Sequence, residues 1–118
     1  MTKATIYHNP RCSKSRSSLQ ILQENGVEIE EVRYLDETPS KATLKSLCEM
    51  MGVKPFEIIR TGETLFKELG LKKSDSKTDD EWLDLLVSHP KLIERPIVQI
   101  GDQAVMGRPP ENILKILP

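Results

Sequence analysis

Cys12 follows a short β-prone run, Ala4-Thr5-Ile6-Tyr7, and stands where a helical pattern begins at Ser13. At a helix start, unpaired backbone N–H groups and the helix dipole favour a thiolate and can lower a cysteine pKa from ~8.5 into the range ~3.5–7.5. The same donors bind oxyanions. Ser13, Ser15 and Arg16 add hydroxyl and guanidinium donors within the first turn. His8, at the strand end just before the cysteine, could approach the sulfur, keep it ionised or transfer a proton. A nucleophile and an anion cradle in one loop suit attack on an oxyanion or on a disulfide. Free cysteine is also among the most buried residue types, so position alone leaves an inert, packed thiol open.

Three arginines from other parts of the chain could complete an anion pocket: Arg95 in front of Pro96, Arg108 in Gly107-Arg108-Pro109-Pro110, and Arg60 in a helical stretch. Taken singly, each is most simply a solvated surface cation. Only about 5–6% of X–Pro bonds are cis, so base rates favour a trans Pro96. A cis bond there would deliver Arg95 to the mouth of the pocket holding Cys12.

The elements that must position these groups alternate. The first strand stops at the turn-forming cluster His8-Asn9-Pro10, and a helix over Ser13–Asn25 ends at Gly26. Ile29 to Leu35 reads as a second strand, although its alternation is imperfect. Thr38-Pro39-Ser40 opens a helix with an apolar stripe of Leu44, Leu47, Cys48 and Met51, closed by Gly52. The next forty or so residues read as entirely helical. Pro55 starts one segment, Gly62 to Leu69 forms another, and a capping box at Thr78-Asp79-Asp80-Glu81 starts a helix burying Trp82, Leu85 and Leu86. Lys72–Asp80 reads as a mobile polar surface loop, and Pro90 limits the helix before it. Two short strands, Ile97–Ile100 and Ala104–Met106, flank Gly101-Asp102-Gln103, a hairpin connection. Pro109-Pro110-Glu111 starts a last helix with Ile113, Leu114, Ile116 and Leu117 as its apolar residues.

A βαβ unit plus a ββα unit around one mixed four-stranded sheet is the thioredoxin-like α/β plan. Here a helical insertion over about 40–92 separates the halves of a single domain spanning 1–118. In thioredoxin-like proteins the proline before the third strand is usually cis and faces the start of the active-site helix, a position that falls on Pro96.

Composition narrows the function classes. Seventeen basic against 18 acidic side chains in 118 residues give a formal charge of −1, so a nucleic-acid footprint is absent. No apolar run approaches the ~20 residues of a membrane helix. The amino end has no apolar stretch followed by small residues, so we expect no secretory leader and a cytoplasmic protein. Two cysteines, no CxxC and no HExxH argue against a disulfide framework or a metal centre. GxGxxG and GxxxxGK[ST] are missing as well.

The stretch Tyr7-His8-Asn9-Pro10-Arg11-Cys12-Ser13-Lys14-Ser15-Arg16, with Glu94-Arg95-Pro96-Ile97 and Gly107-Arg108-Pro109, resembles the glutaredoxin-linked arsenate reductase family over almost the whole chain. The resemblance implies that Cys12 is the nucleophile, that His8 lowers its pKa, and that Arg60, Arg95 and Arg108 hold the oxyanion. It further implies a thiol–arsenate adduct, glutathione as co-substrate forming a mixed disulfide with Cys12, resolution by glutaredoxin, no bound cofactor and a monomer. Ser13-Lys14 stands where the dedicated reductases carry glycine and a small hydroxyl residue, which resembles the arsenate-reductase-like branch.

Three alternatives compete. A cysteine phosphatase loop needs CxxxxxR, whereas Cys12 to Arg16 is CxxxR. Cys12-Ser13-Lys14-Ser15 is a CxxS arrangement like that of monothiol glutaredoxins, which act on glutathione mixed disulfides. A redox-linked transcription regulator binding RNA polymerase typically carries CxxC, and Ser15 occupies the second cysteine's place. Cys48 reads as a core thiol, His89 as a helix-end residue and Trp82 as core.

Overall fold

The computed structural model describes residues 2–117. They divide into two compact units: one runs up to Glu37 and resumes at Arg95, and the other is Thr38–Glu94.

The first unit is built on a four-stranded mixed sheet. Its strands are β1 (Lys3–His8), β2 (Glu28–Arg33), β3 (Ile97–Ile100) and β4 (Gln103–Met106), in the order β2-β1-β3-β4. β1 runs parallel to β2, pairing Ile6 with Glu31, and antiparallel to β3, pairing Ile6 with Val98. Helix α1 (Ser13–Glu24) connects the parallel pair. This is the βαβ plus ββα thioredoxin-like plan that the element order predicts.

Side-chain alternation explains the core of this unit. Successive strand residues point to opposite faces, and in β1 the buried phase is Ala4, Ile6 and His8. Ala4 and Ile6 pack with Leu22 of α1, Val98 of β3 and Ile113. On α1 the inward positions are Ser15, Ser18 and Leu22, two of them small. β2 has a weaker pattern, with Ile29 and Val32 half-buried among glutamates, as suits a strand at the sheet edge. It stops at Arg33, earlier than the sequence suggests, because Asp36 and Glu37 both donate to the Arg33 carbonyl in a turn. β3 and β4 are joined by Gly101-Asp102 alone, Gln103 already pairing with Ile100. Gly101, at φ +63°, supplies the left-handed geometry that a II′ hairpin asks of its first residue.

The last segment departs from expectation. Pro110–Lys115 is a 3-10 helix, not an α-helix. With three residues per turn, Ile113 and Ile116 fall on one side, and both join the core. Leu114, expected on the apolar face, is turned out and 55% exposed.

The second unit contains α2 (Lys41–Met51), α3 (Thr64–Glu68) and α4 (Asp79–Ser88), with 3-10 turns at Pro55–Ile58 and Pro90–Leu92. Ser40 caps α2 by accepting from the Thr43 amide, and Gly52 ends it at φ +69°. The capping box at α4 is formed: Thr78 Oγ1 accepts from the Glu81 amide at 3.2 Å and Glu81 Oε1 from the Thr78 amide at 3.0 Å. The buried residues of α4 are Trp82, Leu83 and Leu86, so Leu83 takes the place expected for half-buried Leu85. An antiparallel bridge, Ile59 with Ile93, interrupts a region that reads as wholly helical. Among the described residues no helix is long and apolar enough to cross a membrane.

Candidate active site

The loop before α1 is fixed by its own residue types. Asn9 and Pro10 occupy the first two positions of a turn closed by the Cys12 amide donating to the Asn9 carbonyl at 2.9 Å. Asn9 Oδ1 also accepts from the Arg11 amide at 3.0 Å, a local bond typical of this side chain. Fully buried Ser15 ties the loop to the helix, its Oγ accepting from the Asn9 amide at 3.2 Å. Arg16 donates from Nη1 to the Pro10 carbonyl at 3.2 Å. These bonds set Cys12 at the N-cap of α1 with extended backbone, φ −90° and ψ 126°.

At that position Cys12 is half-buried. Burial is the largest single influence on the thiol and opposes ionisation. It is outweighed by the combined pull of the Ser15 and Lys14 amides and of the Arg95 and Arg108 charges, so the Cys12 pKa lies below its ordinary value. No side-chain hydrogen bond of strict capping geometry forms at this helix start, so the two amides act as a favourable field on the sulfur. The Cys12 carbonyl accepts the first helical bond, from the Arg16 amide at 3.1 Å.

The arginines arrive from the far end of the first unit's sequence. Arg108 donates from Nε to the Arg95 carbonyl at 2.7 Å, and its Nη2 lies 3.8 Å from Cys12 Sγ. A guanidinium pinned at one nitrogen thus presents another to the sulfur. The Arg95–Pro96 bond is cis, as the resemblance implies, and Arg108–Pro109 is cis as well. Ser13 and Lys14 are exposed beside the sulfur.

Two further candidates are placed differently. His8 continues the inward phase of Ala4 and Ile6 and is 2% exposed; its Nε2 lies 3.0 Å from Glu31 Oε1. Burial, the dominant influence, together with Arg33, overrides Glu31 and lowers its pKa below the ordinary histidine value, which disfavours the charged imidazole. The positive charge that favours the thiolate therefore comes from Arg95 and Arg108. Arg60 belongs to the other unit. There its Nη1 pairs with Glu63 at 2.7 Å and its Nε faces Glu94 at 3.8 Å.

Cys48 contrasts with Cys12. Burial, followed by the charges of Asp79, Glu57 and Glu49, raises its thiol to about 11. The two cysteines should therefore separate on iodoacetamide labelling. Cys12 should titrate with a midpoint below the ~8.5 of a free thiol, while folded Cys48 stays unlabelled up to mildly alkaline pH. A Cys12 midpoint no lower than that of the same thiol in the unfolded protein would contradict the electrostatics described.

Gly107 is a supporting position that sequence reading missed. Its amide donates to the Pro96 carbonyl at 2.8 Å. A Cβ there would sit 2.5 Å from Ser18 Oγ and 2.7 Å from Pro96 Cγ, so only glycine lets the arginine-bearing segment lie against α1. Gly107→Ala should destabilise the protein by about 1–3 kcal/mol, the usual cost of overpacking. Thermal unfolding measures this, and an unchanged melting midpoint would mean the contact relaxes freely.

Among the described residues no cluster of three or more His, Cys, Asp or Glu side chains is arranged to hold a metal ion.

Residues 7–116 match the ArsC family. An arsenate reductase of Neisseria meningitidis is 42% identical over 118 residues, covering 99% of this chain and all of that one. An uncharacterised Escherichia coli protein, YfgD, is 48% identical over 119 residues and is covered to 99%, as is this chain. Among solved structures, the arsenate reductase from Vibrio cholerae has a TM-score of 0.92 at 44% identity, with 98% of each chain covered.

Proposed function

Because this chain belongs to the ArsC family, we propose that it reduces arsenate to arsenite, with Cys12 as the nucleophile. The Cys12 thiolate attacks arsenic, and one arsenate oxygen leaves as water once protonated, giving a sulfur–arsenic(V) adduct. Glutathione sulfur then attacks Cys12 sulfur. The sulfur–arsenic bond breaks with its electron pair on arsenic, which departs as arsenite carrying the proton from glutathione. The two sulfurs, oxidised together, form a mixed disulfide. A glutaredoxin thiolate takes up the glutathionyl group and frees Cys12.

The observation that carries this reading is Arg108 Nη2 at 3.8 Å from Cys12 Sγ, at the start of α1. A guanidinium and helix-start amides around one sulfur supply donors for the charged oxygens of an adduct formed on that sulfur. Disulfide exchange alone asks for no such set. His8, buried with its Nε2 3.0 Å from Glu31 Oε1, is assigned no step in this reaction.

A coupled NADPH assay with glutathione, glutathione reductase and glutaredoxin tests the proposal by offering arsenate or a small glutathione mixed disulfide. Arsenate-dependent consumption is expected. Consumption with the mixed disulfide and none with arsenate would assign a monothiol glutaredoxin-like oxidoreductase instead.

A further inference from the structure

Arg108 reaches the sulfur only if the short segment after β4 holds its course, and one side chain grips that segment at two points. The Asn112 carboxamide donates from Nδ2 to the Met106 carbonyl at 3.1 Å and to the Arg108 carbonyl at 3.1 Å. Its backbone amide donates to the Pro109 carbonyl at 3.0 Å. Nδ2 thus reaches across Gly107 to the carbonyls on either side of it. Both neighbours are acceptors, so the amide orientation is fixed by chemistry: the NH2 end must face them. Asn112 is half-buried and sits in the first turn of Pro110–Lys115, next to Ile113, which is anchored in the core.

We propose that Asn112 is a positioning residue for Arg108, holding the 106–108 backbone so that Arg108 can bond the Arg95 carbonyl and face Cys12. The chain of contacts is continuous: Asn112 to the Arg108 backbone, Arg108 Nε to the Arg95 carbonyl, Arg108 Nη2 to Cys12 Sγ. Arg108 lies on the solvent-facing side, where a long side chain otherwise samples many rotamers, so a fixed Cα and carbonyl narrow its range. Asp at 112 has nearly the same shape as Asn but no donor, and would set a carboxylate against two carbonyl oxygens.

The functional arm of the test rests on the arsenate reductase reading; the thiol arm does not. Asn112→Ala and Asn112→Asp would each be made in wild type and in Arg108→Ala protein. Arsenate kcat/KM and the pH midpoint of Cys12 alkylation would be measured for all. In the Arg108 background both variants should lower arsenate kcat/KM about tenfold and move the alkylation midpoint up toward the Arg108→Ala value. In the Arg108→Ala background neither should add a further effect, because interacting residues are non-additive. Equal losses in both backgrounds would overturn the proposal, as would an Asn112→Asp protein indistinguishable from wild type. Should the protein turn over no arsenate, the substrate assignment falls, while the alkylation midpoints still decide the role of Asn112.

Discussion

Cys12→Ser is expected to remove arsenate reduction altogether, a loss of at least about a thousandfold, whereas Cys48→Ser keeps most of it. The chemistry sets the size of the first effect. A serine hydroxyl is not ionised near neutral pH, and its oxygen cannot form the mixed disulfide that remains once the sulfurs have given up electrons to arsenic. Arg108, Arg95 and the two amides would then surround a group with no charge to stabilise. Cys48 is 2% exposed, on the α2 stripe with Leu44 and Leu47. A hydroxyl placed there costs stability, about 1–3 kcal/mol for a buried polar group left unpaired. Cys48→Ser should thus melt earlier yet remain active at 25 °C. The coupled assay and a melting curve together read both outcomes, and equal loss of activity from the two substitutions would mean the nucleophile has been misassigned.

Arg95→Ala and Arg108→Ala should each lower arsenate kcat/KM by about 10²–10³, the usual effect of deleting one donor to a developing oxyanion. Iodoacetamide, a neutral electrophile, separates anion binding from thiol activation. Its reaction needs the thiolate alone, so it should slow only through the rise in the Cys12 pKa when a neighbouring positive charge is lost. A higher pKa leaves less thiolate at neutral pH, and the alkylation profile shifts to higher pH. Arg108→Lys is the informative intermediate. It keeps the charge but loses the planar fork that bonds the Arg95 carbonyl through Nε while offering Nη2 to the sulfur. Partial recovery of alkylation with little recovery of arsenate turnover is expected. If alkylation and arsenate use fall together in all three variants, the arginines are acting on the thiol or the fold, not on the anion.

The part of the site legible in the sequence is the part made by local chain. Asn9-Pro10 dictates a turn, the turn sets Cys12 before a helical pattern, and a helix start favours a thiolate there unless burial wins. The phase of β1 was equally available: Ala4, Ile6 and His8 alternate, so the imidazole had to point inward, toward Glu31 on the neighbouring strand. That signal is easily overlooked because His8 ends the strand, where burial is harder to foresee.

What stayed hidden depends on long-range approach. Nothing local marks Gly107 as the residue on which Ser18 and Pro96 converge, or Asn112 as the clamp on the Arg108 backbone. The same limit explains the elements that differ. Pro110–Lys115 has the composition of an α-helix but folds as a 3-10 helix that turns Leu114 outward. On α4, either Leu83 or Leu85 could follow Trp82 into the core, and packing selects Leu83.

In the proposed reaction arsenic takes its two electrons from the Cys12 and glutathione sulfurs, which are left joined as a mixed disulfide. Mass measurement of the protein after incubation with arsenate and glutathione, with glutaredoxin omitted, tests it most directly. One glutathionyl group should appear on the Cys12 peptide only when both reagents are present, matched mole for mole by arsenite. Glutathionylation without arsenate, or arsenite released from protein whose Cys12 remains unmodified, would rule out Cys12 as the sulfur that passes electrons to arsenic.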